Sequence, residues 1–183
     1  SLTGVGGSIT ISQTNTLSNL NLSSLETVNG TVTINTGTTL TSLNLGSLKN
    51  TGSVANGVNG NLTINGGAGL GTIYLNGLAN INGSIACTGP SGNLTGVNFA
   101  TSGNLKSIYG NVSFTNQRLL QSEVDNVLVK LASLDGSNGT VMYSGRTISL
   151  TGINMALPSS ITGLPAVNTL RSAPRGNTVL GGF

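Results

Sequence analysis

Aliphatic residues recur along this chain at fixed short intervals, separated by glycine, serine, threonine and asparagine. Leu17-x-x-Leu20-x-Leu22-x-x-Leu25-x-x-Val28-x-Gly30-x-Val32-x-Ile34 returns with identical spacing as Leu70-x-x-Ile73-x-Leu75-x-x-Leu78-x-x-Ile81-x-Gly83-x-Ile85-x-Cys87. Between them stand Leu40-x-x-Leu43-x-Leu45-x-x-Leu48 and, after extra residues, Val58-x-Gly60-x-Leu62-x-Ile64. Leu94-x-x-Val97-x-Phe99 and Leu105-x-x-Ile108-x-Gly110-x-Val112-x-Phe114 follow, and the chain opens part-way through a unit at Leu2-x-x-Val5-x-Gly7-x-Ile9-x-Ile11. A unit of this length cannot bury an apolar face alone, so its copies are expected to stack on a shared core.

Alternation within each unit predicts two short strands. The first points Leu20, Leu22, Leu43, Leu45, Ile73, Leu75, Val97 and Phe99 inward and Asn21, Asn44, Tyr74 and Asn98 outward. The second covers 8–11, 31–34, 61–64, 84–87 and 111–114, with Ile34, Ile64, Cys87 and Phe114 sharing one inward column. Each second strand follows a corner at Gly7, Gly30, Gly60, Gly83 or Gly110, where a positive φ is the expected reason for glycine. The extra residues, 49–57 and 100–104, are expected to bulge from one side, with Val58 resuming the column of Val28.

The pattern changes at Arg118. Val124, Val127, Leu128 and Leu131 follow helical spacing, predicting an amphipathic helix over 121–134 that stops near Gly136. Strand-like pieces follow at 140–143 and 147–150, then proline-punctuated loops around a short helix at 165–171. The expected organisation is a repeat region, 1–117, and a helix-containing C-terminal cap, 118–183. A repeat array needs its apolar end closed, which gives the second region a structural role. The broken first unit leaves an edge to be covered by upstream chain or another subunit, since exposed edges invite pairing.

Composition narrows the function. Only 6% of residues are charged, against about 25% in an average globular protein. Glu26, Lys49 and Lys106 are the only charges before Arg118. The net charge of +3 is dispersed without a basic run, which argues against nucleic-acid binding. Histidine is absent, so serine or cysteine triads built on it are excluded. Cys87 reads as a small core residue and excludes an internal disulfide. No apolar stretch reaches the length of a membrane span. Glu123 and Asp125 sit two apart on the predicted helix and face different ways. The run Gly66-Gly67-Ala68-Gly69-Leu70-Gly71 lacks the lysine and following helix of a phosphate loop and reads as a turn between units.

The Leu-x-x-Leu-x-Leu core with its following Val-x-Gly-x-Val-x-Ile resembles leucine-rich repeats, in particular the receptor-L-domain variety. Leu25, Leu48 and Leu78 stand where that family carries a ladder of Asn or Cys, which favours a straighter two- or three-faced β-solenoid over a curved horseshoe. The stretch from Gln121 through Leu131, Gly136 and Gly139-Thr140-Val141 resembles caps of bacterial surface proteins and tailed-phage structural proteins, as does Arg175-Gly176-Asn177-Thr178-Val179. The resemblance implies a mainly β fold, a right-handed parallel β-solenoid with a small α/β C-terminal cap.

The expected function is therefore non-catalytic, structural or adhesive, with no cofactor and no metal. The leading case is a tailed-phage virion component at the virion surface, such as a capsid decoration, a fibre or a tail-associated protein. Its partners would be other virion or surface-assembly proteins, or copies of itself. The alternative is a bacterial cell-surface adhesin binding a glycan or protein receptor through Asn21, Asn44, Tyr74 and Asn98, since amides and an aromatic ring suit sugars. A minor alternative, ice binding through the outward Thr33, Thr63, Ala86 and Ser113 column, is weakened by that column's mixed composition.

Overall fold

A computed structural model describes residues 1–12, 15–52, 60–89, 93–98, 104–152 and 155–181. Each of the first four units contributes three short strands rather than two. The first unit holds β1 (Gly4–Val5), β2 (Ile9–Ser12) and β3 (Asn19–Asn21). The second holds β4 (Thr27–Val28), β5 (Val32–Asn35) and β6 (Ser42–Asn44). The third holds β7 (Asn50–Thr51), β8 (Leu62–Asn65) and β9 (Thr72–Tyr74). The fourth holds β10 (Asn80–Ile81), β11 (Ile85–Thr88) and β12 (Gly96–Val97). The fifth supplies β13 (Ser107–Ile108) and β14 (Val112–Thr115).

Equivalent strands pair side by side, giving three parallel sheets and a mainly β fold. One sheet runs β1-β4-β7-β10-β13 and another β3-β6-β9-β12. The third begins β2-β5-β8-β11-β14 and continues into the C-terminal region. Register is fixed by the inward residues, because a slip of one would turn every aliphatic outward. Leu20, Leu43, Ile73 and Val97 lie in one column. Ile11, Ile34, Ile64, Cys87 and Phe114 form a second.

Leu43, Leu45, Ile34, Ile64, Ile73, Leu75, Cys87, Val97 and Phe114 are all buried. Each such aliphatic side chain contributes about 1.5–3 kcal/mol on leaving water. Leu20 and Leu22 are only partly buried, because the first unit has a neighbour on one side alone. Phe99 and Val58 lie outside the described residues.

Two expectations about the corners require correction. None of Gly7, Gly30, Gly83 and Gly110 has a positive φ. At Gly30, Gly60, Gly83 and Gly110 glycine is needed for clearance instead. A Cβ on Gly30 would lie 2.9 Å from the carbonyl carbon of Gly7, and one on Gly110 would lie 2.5 Å from that of Gly83. The corners of successive units touch backbone to backbone. The first insertion also begins later than its composition indicated. β7 occupies 50–51, and Thr51, not Val58, aligns with Val28 and Ile81. Thr51 is fully buried and donates its hydroxyl to the Gly60 carbonyl at 2.8 Å, which makes a polar residue tolerable in an aliphatic column.

The C-terminal region extends one of the three sheets. α1 (Gln121–Ser133) buries Val124, Val127, Leu128 and Leu131, and packs against α2 (Gly163–Arg171). β15 (Thr147–Thr151) pairs with β14, and β16 (Thr178–Leu180) pairs with β15, so the longest sheet has seven strands. Arg118 and Leu120 donate backbone N–H groups to Leu94 and Thr95, beside β12. Residues 140–143 do not form the expected strand. Val141 donates to Lys106 beside β13, Tyr143 donates to Leu134, and Val141 and Met142 are both exposed, so the alternation of a strand is missing. α2 starts two residues earlier than the apolar pattern indicated, with Pro165 in its first turn, where its missing N–H costs little.

Candidate functional site

The outward column nominated for binding is a real alignment: Asn21, Asn44 and Tyr74 are register partners, and Asn98 follows Val97 at the next position. Its chemistry is partly taken up locally. The Asn21 Oδ1 accepts from the Ser23 N–H at 3.0 Å, and the Asn44 Oδ1 accepts from the Gly46 N–H at 2.8 Å. Both side chains therefore close the turn after their own strand, a common use of asparagine. Tyr74 presents an exposed ring, whereas Asn98 is half-buried.

A second outward feature escaped the linear reading because it exists only in register. Asn65 donates its amide to the Asn35 Oδ1 at 2.6 Å, Asn35 donates to the Ser12 hydroxyl, and Thr88 donates to the Asn65 Oδ1 at 2.7 Å. Asn35, Asn65 and Thr88 edge a shallow groove of about 610 Å³ with Thr36, Gly67 and Asn116. A parallel ladder joins Asn50, Asn80 and Ser107. At the corners, Ser8, Asn61, Ser84 and Asn111 each accept from a backbone N–H of the following unit or of β15. Polar side chains here knit unit to unit.

The carboxylates are similarly engaged. Glu26 pairs with Lys49 at 2.8 Å, with both side chains about half exposed, a geometry worth roughly 0–1 kcal/mol. Glu123 accepts from the Val97 N–H at the edge of β12. Asp125 accepts from the Ser159 N–H and the Thr162 hydroxyl, tying α1 to the start of α2. The exposed Asp135 carboxyl is held below its ordinary range by the Ser137 hydroxyl, then the Ser137 N–H, with a smaller pull from Arg175. Among the described residues no three or more His, Cys, Asp or Glu side chains gather as a metal would need.

The Cys87 thiol is pushed up to about 12 by burial, far from a reactive thiolate. Burial likewise raises the Tyr143 phenol, whose hydroxyl donates to the Gly110 carbonyl at 3.1 Å. Gly67 and Gly69 in the glycine-rich run abut the backbone of residues 37–40 in the unit before. That run is a stacking turn. Among the described residues no helix is long and apolar enough to cross a membrane.

No family model, curated protein or solved structure matches this chain.

Proposed function

We propose that this protein is a right-handed parallel β-solenoid acting as a non-catalytic structural module of an extracellular assembly. A tailed-phage virion surface is the setting that its repeat and cap resemblances imply. One observation carries the reading: the columns of one sheet run from β2 to β16 without a break, across the join between repeats and cap. A stacked rod of this kind resists bending, because every unit shares backbone hydrogen bonds with the next. Its sparse charge lets it lie against other proteins without burying unpaired ions.

Quantitative mass spectrometry of purified particles tests the assignment. The protein should appear at many copies per particle, and the free chain should bind no soluble glycan. Its absence from particles that encode it would contradict the virion role. The exposed ring of Tyr74 keeps the adhesin reading as a second case. That case requires saturable glycan or receptor binding that Tyr74→Ala weakens at least tenfold.

A further inference from the structure

Glu26, Lys49 and Lys106, the only charges before Arg118, stand in one row. Glu26, Lys49, Ala79 and Lys106 directly precede β4, β7, β10 and β13, whose first residues are register partners. The backbone continues that register. Lys49 donates its N–H to the Glu26 carbonyl at 2.7 Å, then Ala79 to Lys49 and Lys106 to Ala79, each at 2.8 Å. All four residues line one groove of about 530 Å³, together with Gly46 and Gly77.

Along the row the side chains run negative, positive, neutral and positive. Adjacent backbones are about 4.8 Å apart, which sets Lys49 and Lys106 about 10 Å apart with only the Ala79 methyl between them. Glu26 holds the Lys49 ammonium at 2.8 Å, the one ion pair among the described residues, so Lys106 has no carboxylate beside it. The other three carboxylates are bonded elsewhere, Glu123 to Val97, Asp125 to Ser159 and Thr162, and Asp135 to Ser137. A half-exposed pair adds little stability, so folding alone does not account for charges gathered here.

We propose that this groove docks a carboxylate side chain of a neighbouring protein, seated over Ala79 between Lys49 and Lys106. For the source of that carboxylate the inference rests on the structural-module reading above. With it in place the row alternates in sign at every position, and opposite charges on adjacent strands attract. Ala79 leaves the position open because its side chain ends at the methyl. The Glu26 carboxylate repels a ligand carrying several negative charges, so an isolated Asp or Glu suits the groove better than an acidic run. A second copy of this chain offers no carboxylate free of a bond of its own. The partner is therefore a different protein.

The test titrates the full chain at low ionic strength with a blocked pentapeptide carrying one central glutamate among glycines, against its glutamine counterpart. Amide NMR shifts at Ala79 and Lys106 should saturate with the glutamate peptide and stay still with the other. Lys106→Gln should weaken binding at least fivefold. Arg146→Gln removes an equal charge from an exposed position outside the groove and should leave binding unchanged. Ala79→Glu supplies the carboxylate from within, so it should abolish peptide binding and raise the thermal midpoint by about 1–3 °C over Ala79→Gln. Equal response to both peptides, equal loss with Arg146→Gln, or a midpoint for Ala79→Glu no higher than that of Ala79→Gln would overturn the proposal.

Glucuronate moving the same amides at lower concentration than the glutamate peptide would overturn the assignment to a protein. The particle measurement above separates this inference from the reading it rests on. A chain present at many copies that ignores the peptide keeps its structural role and loses the docking site. A chain absent from particles that binds the peptide through Lys106 keeps the site and loses the partner assigned to it.

Discussion

Arg175 donates its guanidinium to the Leu134 carbonyl at 3.1 Å, and it reaches Leu131 and Ala132 as well. These carbonyls close the C-terminus of α1, its negative end; that of Leu131 also accepts from the Leu134 N–H, and that of Leu134 from the Tyr143 N–H. A buried cation there satisfies three acceptors at once. Arg175→Met should therefore cost roughly 1–3 kcal/mol of unfolding free energy, because it removes the charged donor that these carbonyls share. Arg175→Lys should recover only part, since an ammonium lacks the planar fork. Urea denaturation of the three chains measures the difference.

The glycine corners give a graded prediction. Gly83→Ala and Gly110→Ala should each cost about 1–3 kcal/mol, because the added methyl meets backbone or an engaged side chain of the unit before. Gly7→Ala meets nothing and should stay within roughly 0.5 kcal/mol of the parent. Equal effects at all three would show that conformation rather than clearance selects glycine.

Thr51 predicts a substitution whose sign runs against the repeat pattern. Valine occupies the aligned position at Val28, yet Thr51→Val removes the hydroxyl that donates to Gly60. It should destabilise by about 1–2 kcal/mol, the cost of an orphaned buried acceptor. A stabilised Thr51→Val chain would mean that the hydrogen bond counts for less than the added apolar contact.

Alkaline pH should weaken the fold through Cys87 and Tyr143. The folded Cys87 thiol titrates at about 12 against 9.0 for the free group, so above pH 9 the unfolded chain has lost a proton that the folded chain still holds. Its contribution is fully present below that point and falls as pH rises towards 12, at a limiting slope of about 1.4 kcal/mol per pH unit. Tyr143 is shifted in the same direction and adds a loss of the same sign at higher pH. Urea midpoints at about pH 8 and about pH 10.5 should drop less for Cys87→Ala than for the parent.

Much of this architecture was legible because inward positions repeat at fixed spacing: Leu43, Ile73 and Val97 can be aligned by eye, and so can Ile34 and Ile64. The β1-β4-β7-β10-β13 sheet was not, since strands of two residues such as Thr27–Val28 are too short to alternate. Thr51 was missed because a threonine in an aliphatic column looks like loop until its hydroxyl finds Gly60. The glycines were visible but attributed to dihedral freedom, for the approach that demands them is between successive units and not within the local turn. The Asn35–Asn65 bond spans 30 residues and depends on register, so no local pattern announces it. Among the proposed face residues, Asn21 and Asn44 could be placed outward from alternation alone, but their turn bonds to Ser23 and Gly46 could not.

Paired cysteines test the stacking most directly. In a Cys87→Ala background, Thr33→Cys with Thr63→Cys places two thiols on adjacent register partners. Thr33→Cys with Ser113→Cys places them three strands apart, about 14 Å at the usual strand spacing. Mild oxidation followed by peptide mapping should find the first disulfide formed within the chain and the second absent. Formation of the second in preference to the first would contradict the in-register stack on which the account stands.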